Sequence, residues 1–326
     1  MLDEALDRSD AAGYAERKRR SERAGLLRGR SVVTVIEGTA LGQNPADEIA
    51  LEVDACGVFT LFTEGQSQGQ GHETALAMIV ARVLQVPVGR IRLRQGDNAR
   101  RLTGNHTGGS RTMVGPGNVC HLAAGQLVEQ GRRAAAERLG VEPSQLDYAA
   151  GAFTHAESGR RMALAELAGA APFSVTASAV VGHTFPNDCH VAEVEVDPAT
   201  GRVRIDRYVA VGDCGTVIHP VIVEGQVHGA VAQGAGQVFG EHAVYDAQTG
   251  QMLTASYMDY AVPRAGWIDA MTVAERPTPS HTSALGMKGV GESGCAGSMP
   301  ALVNAVMDAR SEEHTSELQS LAYLVC

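Results

Sequence analysis

Apolar positions along the chain follow two spacings, and the change between them falls at glycine-rich corners. Val58, Phe59, Leu61 and Phe62 read as a strand, whereas Ala75, Met78, Ile79 and Val83 recur at helical spacing. Between them residues 63–76 run Thr-Glu-Gly-Gln-Ser-Gln-Gly-Gln-Gly-His-Glu-Thr-Ala-Leu. The same reading predicts strands over 32–38 and 88–95, a hairpin over 48–62 turning near Ala55, Cys56 and Gly57, and a helix ending before Pro87. A long helix is expected over 116–139, with Asn118 as candidate cap and Gly140 as stop. A small hairpin over 146–155 and a short helix over 162–167 follow.

A second block begins near Phe173. Residues 190–196 and 203–211 alternate across Pro198-Ala199-Thr200-Gly201, a hairpin signal. Residues 220–236 read as a helix through Val221, Val223, Val227 and Val231, residues 244–253 turn at Thr249 and Gly250, and residues 284–309 are glycine-rich and then helical. The chain enters directly into a helical pattern (Leu2, Ala5, Leu6), and the arginine-rich segment 17–30 is expected to present a solvated helical face. The fold class that follows is α+β.

Of the 326 residues 44% are hydrophobic and 20% charged, the balance of a globular chain long enough for one large domain or two ordinary ones. A formal charge of -10 argues against a nucleic-acid partner. The six cysteines stand singly, so neither a zinc ribbon nor an iron–sulfur ligand set is visible. There is no secretory signal and no apolar run near ~18 residues, which makes a reducing, cytoplasmic compartment the expectation. From Arg310 the string Arg-Ser-Glu-Glu-His-Thr-Ser-Glu-Leu-Gln-Ser reads as translated sequencing adapter, so 310–326 is set apart as a foreign tail. Residues 1–309 are expected to be a piece of a longer protein.

Four segments carry candidate chemistry. In the first, Gly65, Gly69 and Gly71 permit close backbone approach, the following helix offers unpaired amides suited to phosphate, and Gln66, Gln68 and Gln70 can pair with a heterocycle's edge. It matches neither the nucleoside-triphosphate loop nor the dinucleotide fingerprint, and His72-Glu73 lacks the second histidine of a zinc-protease helix. The second, 108–115, offers Ser110, Thr112 and backbone amides to an anion. The third, 226–236, puts Gln226 and Gln233 two helical turns apart. The fourth, 286–297, holds one carboxylate, Glu292, between Gly291 and Ser293; buried there, it would be raised toward the range of a general base. Each alone reads equally as a turn, a packed helix or an exposed glutamate. Together they lack a metal-ligand set, so a metal at these residues would have to arrive within an organic cofactor.

In this order, over residues 1–309, the four segments resemble the molybdopterin-binding large subunit of the xanthine dehydrogenase / aldehyde oxidase / carbon monoxide dehydrogenase family, as a C-terminal fragment. The resemblance implies two elongated mixed subdomains, 1–172 and 173–309, that embrace the cofactor between them. It implies that Gln68, Gly69, Gln70, Gly71, His72 and Thr74, then Ser110, Arg111, Thr112, Met113, Val114 and Gly115, then Gln226 and Gly291 lie against molybdopterin. Glu292 would stand beside the molybdenum as general base for hydroxylation of an aldehyde, N-heterocycle or CO, with water as oxygen source. The usual bacterial form is molybdopterin cytosine dinucleotide. Iron–sulfur and FAD subunits are the implied partners, in a dimer of heterotrimers. The chain also departs from the family pattern. The upstream Gly-Gly-Gly-Phe-Gly-type loop and the substrate-side loop are absent, and His219-Pro220 stands where relatives show Asn-Pro after Asp213-Cys214-Gly215. With half the cradle missing, the fragment is expected to be inactive alone. The alternative is a non-catalytic phosphate-binding or assembly module of the same fold; Glu292 in its glycine setting favours the enzyme.

Overall fold

The predicted hairpin of alternating residues forms the centre of one sheet. In a computed structural model, which describes residues 1–40, 46–169, 172–268 and 270–310, β9 (Asn187–Val196) and β10 (Val203–Asp213) pair antiparallel. β1 (Leu27–Ile36) adds antiparallel to β9, and β11 (Met271–Glu275) adds parallel to β10. Inward apolar residues such as Val194, Tyr208 and Ala210 meet Val227, Val231 and Ala235 of α6 (Pro220–Phe239) and Ala301, Leu302 and Ala305 of α7 (Ser293–Arg310). The opposite face, with Cys189, Val191 and Val209, packs on Ala5 of α1 (Leu2–Arg8).

A second sheet has the order β4-β3-β2-β8: β2 (Asp47–Val53), β3 (Phe59–Thr63), β4 (Ile91–Gln95) and β8 (Phe173–Ala179). β3 and β4 run parallel with α3 (His72–Leu84) between them, so the glutamine corner lies at the carboxyl end of a strand in a βαβ unit. α3 and α4 (Pro116–Leu139) cover this sheet through Leu76, Val80, Val119 and Leu127. Three short strands, β5 (Leu146–Ala149), β6 (Ala152–His155) and β7 (Arg161–Ala163), make a third sheet beside α5 (Leu164–Ala168).

The α+β class and most elements agree with the sequence pattern; the differences have physical causes. Residues 88–90 form a 3-10 turn ahead of β4, and residues 162–167 divide between β7 and α5. Asn118 does not cap α4; it is buried in the first turn, donating to Val114 O at 2.7 Å and Ser283 Oγ at 3.0 Å. α6 continues to Phe239 because its glycines pack rather than break: Gly234 lies against Ser298 and Gly236 against Pro263. Strand pairing also crosses the expected boundary at 172/173 both ways, since β1 joins β9 and β8 joins β2. The foreign tail expected from Arg310 lies outside the described residues except for Arg310 itself, which ends α7.

The arginine-rich segment is only in part a solvated face: Glu16, Arg19, Arg20 and Arg23 of its helix are exposed, but two of its arginines are not. α2 (Tyr14–Arg23) ends early, β1 starts at Leu27, and Arg17 and Arg28 are buried. Arg17 meets Glu193 at 2.6 Å; Arg28 meets Glu193 at 3.1 Å and both Glu195 and Asp206 at 2.7 Å. Local spacing cannot show this, because the acids arrive on β9 and β10. Among the described residues no helix is long and apolar enough to cross a membrane.

β1 and α7 touch at backbone distance. A Cβ on Gly29 would stand 1.9 Å from Ala305 O and 2.3 Å from Ala309 N, neither of which can swing aside. Gly29→Ala is therefore expected to cost at least about 1–3 kcal/mol, read as a lower midpoint of denaturant unfolding. An unchanged midpoint would refute the close crossing.

Candidate functional site

The glutamine corner leaves β3 and enters the first turn of α3, with Gly69 at φ 112° and Gly71 at φ 75°. A Cβ on Gly71 would lie 2.9 Å from Ile222 Cδ1, so the missing side chain lets this corner meet the first turn of α6. Ser110 has a left-handed backbone, φ 53°, and the glycine-rich strip 289–291 lies against it. A Cβ on Gly289 would come within 2.6 Å of Ser110 O, and one on Gly291 within 3.1 Å of its Oγ.

All four glycine-rich segments converge on one cavity of about 200 Å³. Gln70 and His72 line it from the first, Ser110, Arg111, Thr112 and Met113 from the second, Gln226 from α6, and Gly291 and Glu292 from the fourth. The other predicted residues do not line it. Gln68, Gly69 and Thr74 are exposed, Gly71 backs onto Ile222, and Val114 and Gly115 are buried, Gly115 against Asp47. Gln68 instead orients Gln70: its N–H donates to Gln70 Oε1 at 2.5 Å, and Gln70 Nε2 donates back to Gln68 Oε1 at 3.1 Å.

The cavity offers neutral donors. Arg111 is paired with buried Asp47 at 3.0 Å and Lys288 with Asp213 at 2.6 Å, so both cations are compensated by the protein. Burial pushes the Asp213 carboxyl up, but Lys288 and the N–H groups of Thr278 and Gly215 outweigh it and hold the group below its usual range. Burial pushes His72 down, favouring the neutral ring, and its buried Nδ1 has no protein partner. First turns of α3 (His72, Ala75) and α6 (Ile222, Val223) face the space, and α7 starts directly after Glu292. Helix starts carry unpaired N–H groups and partial positive charge.

Glu292 is exposed rather than enclosed. Its Oε2 lies 2.7 Å from Ser110 Oγ, and its Oε1 accepts the Gly109 N–H at 3.3 Å. The carboxyl that burial raises is Glu37, just past β1. Burial, then contact with Glu292, push it up to about 7, against a smaller lowering by Ser110. No sequence signal marks Glu37, a single acid after a strand. Lys288 and Asp213 were within reach, since Asp213-Cys214-Gly215 ends one strand and Lys288 sits in the fourth segment.

An α+β fold with glycine corners and helix starts around a cavity of neutral donors is suited to an organic, phosphate-bearing cofactor. The chain belongs to the molybdopterin cofactor-binding domain family, whose model matches residues 4–268. It is 31% identical to the nicotine 6-hydroxylase large subunit of Paenarthrobacter nicotinovorans, covering 95% of this chain and 41% of that one. It is 33% identical to the carbon monoxide dehydrogenase large chain of Hydrogenophaga pseudoflava, over 74% of this chain and 32% of the other. Quinoline 2-oxidoreductase from Pseudomonas putida 86 superposes with a TM-score of 0.84 at 29% identity, covering 95% of this chain and 42% of that structure. The chain thus spans between 32% and 42% of these relatives' length. Glu292 and α7 lie beyond the stretch that the family model matches. The residues present fit molybdopterin: primary amides at Gln70 and Gln226 suit a pterin edge, helix starts suit phosphate, and the unpartnered His72 Nδ1 leaves a polar atom to satisfy.

Proposed function

We propose that this chain is the molybdopterin-holding part of a molybdenum hydroxylase, an oxidoreductase that hydroxylates an aldehyde, an N-heterocycle or CO with oxygen from water. The observation that carries this reading is the convergence of four separated glycine-rich segments on one cavity lined by an acid, Glu292, that Ser110 and Gly109 hold in place.

In this reading Gln70 and Gln226 hold the pterin edge, orientated in part by Gln68. Ser110, Thr112 and Met113 and the first turns of α3 and α6 hold the phosphate end. When bound, the cofactor supplies the metal centre at which the substrate is oxidised. Glu292 accepts the proton released there, and Ser110 and Gly109 fix its carboxyl while it does so. The cofactor form proposed is the cytosine dinucleotide. Partner subunits bearing iron–sulfur and FAD centres carry the electrons away, in a cytoplasmic dimer of heterotrimers.

Metal analysis and pterin release on the purified assembled protein test the reading. Stoichiometric molybdenum with releasable pterin is expected; a folded protein containing neither ends it.

A further inference from the structure

Three side chains from distant parts of the chain meet at the cavity's edge: Glu37 after β1, Ser110, and Glu292 before α7. Ser110 Oγ stands 3.1 Å from Glu37 Oε1 and 2.7 Å from Glu292 Oε2, and it accepts the Glu292 backbone N–H at 3.0 Å. A hydroxyl carries one hydrogen, so it serves one carboxylate. The second oxygen–oxygen contact, at 3.1 Å, is a full hydrogen bond of its own when that carboxyl brings a proton. The two acids are not equivalent. Glu292 is exposed and also receives the Gly109 N–H, whereas Glu37 Oε2 is buried with no hydrogen-bond partner. The charged groups that bear on Glu37 are Glu292 and, from β9, Asp188, both acidic. An ionised Glu37 would put charge on a buried, unpartnered oxygen beside two other acidic side chains.

The geometry points to Glu37 as a positioning residue that holds the proton shared by the pair and donates it in a hydrogen bond to Ser110 Oγ, turning the serine hydrogen onto Glu292 Oε2. The chain then runs Glu37 O–H to Ser110 O–H to Glu292 carboxylate, with Ser110 Oγ accepting two hydrogen bonds and donating one. Glu292 is thereby fixed in direction and open to the cavity. The left-handed Ser110 backbone and the bare Gly289 and Gly291 place the hydroxyl between the acids. The raised Glu37 carboxyl agrees with this assignment. The inference rests on the proposed reading of Glu292 as proton acceptor.

Infrared spectroscopy of the assembled protein, with carbon-13 glutamate to identify carboxyl bands, is the test. Slightly below neutral pH, wild type is expected to show a protonated-carboxyl band that Glu37→Gln removes and Ser110→Ala shifts in frequency. Turnover gives a second readout. A glutamine amide can still donate to Ser110 Oγ, so Glu37→Gln is expected to keep kcat within about twofold, whereas Glu37→Ala loses about threefold to tenfold in kcat with KM unchanged, the worth of one hydrogen bond between neutral groups. A band that persists in Glu37→Gln, or equal turnover losses in the two Glu37 variants, overturns the inference. Should Glu37→Gln not fold, a wild-type band that Ser110→Ala fails to shift overturns it instead. Molybdenum is measured in every sample. Wild type without molybdenum ends the proposed function while the infrared result still decides the proton sharing; loaded wild type with no such band ends this inference alone.

Discussion

Glu292→Gln is expected to lower kcat by roughly 10²–10⁴-fold while molybdenum content stays at the wild-type level. Glutamine keeps the shape of the side chain and an oxygen that can accept from Ser110 Oγ or Gly109 N–H, the two contacts that hold Glu292 in place. It cannot take up a proton. The groups assigned to the cofactor, among them Gln70, Thr112 and Gln226, belong to other elements and do not depend on the charge at 292. The loss should therefore fall on the chemical step and not on loading. Metal analysis beside steady-state kinetics separates the outcomes: unchanged turnover removes Glu292 as the base, and lost molybdenum makes it part of the cradle instead.

The second large effect lies in the fold. Arg28→Ala is expected to destabilise the protein by about 3–5 kcal/mol, the cost of stranding buried charge after its partner is removed. The guanidinium is 1% exposed and joins Glu193, Glu195 and Asp206, with its Nε donating to Ser21 Oγ at 2.8 Å. Arg17 still holds Glu193 and Arg204 still meets Glu195 and Asp206 in the variant, so the loss should fall at the lower end of that range. The effect has a pH signature. Burial pushes Glu195 up, but hydrogen bonds from Ser21, Arg204 and Arg28 outweigh it and hold the group at about 2, below the ordinary glutamate value of 4.5. A carboxyl depressed by folding contributes stability above its unfolded pKa, and that contribution fades as pH falls toward the folded one. The gap between wild type and Arg28→Ala should accordingly narrow between about pH 4.5 and about pH 2. Denaturant midpoints across that range check it; an absent gap would show the network to be without net effect, and a constant one would show that Glu195 is not the group through which Arg28 acts.

Legibility from sequence follows the range of the interactions. The helix over 116–139, the strand–turn–strand across residues 198–201 and the strand–corner–helix around the glutamines rest on spacing, turn residues and glycine positions within a few residues of one another. The four glycine-rich segments were legible for the same reason, and family resemblance joined them into one site. Where pairing is long-range, local reading went astray. Arg17 and Arg28 look like solvent residues until β9 and β10 bring three acids over them. Asn118 looks like a cap until Ser283 arrives to bind it.

The chain's own order of residues determined which segments can approach a ligand, because a glycine's freedom and a glutamine's amide are properties of the residue itself. Only the tertiary structure decided that Glu37 stands beside Glu292. That meeting depends on β1 pairing with β9 and on strip 289–291 lying against Ser110, contacts between residues far apart in the chain. Protonation follows from the same packing, since burial and neighbouring charge belong to a place in the fold and not to a letter in the sequence.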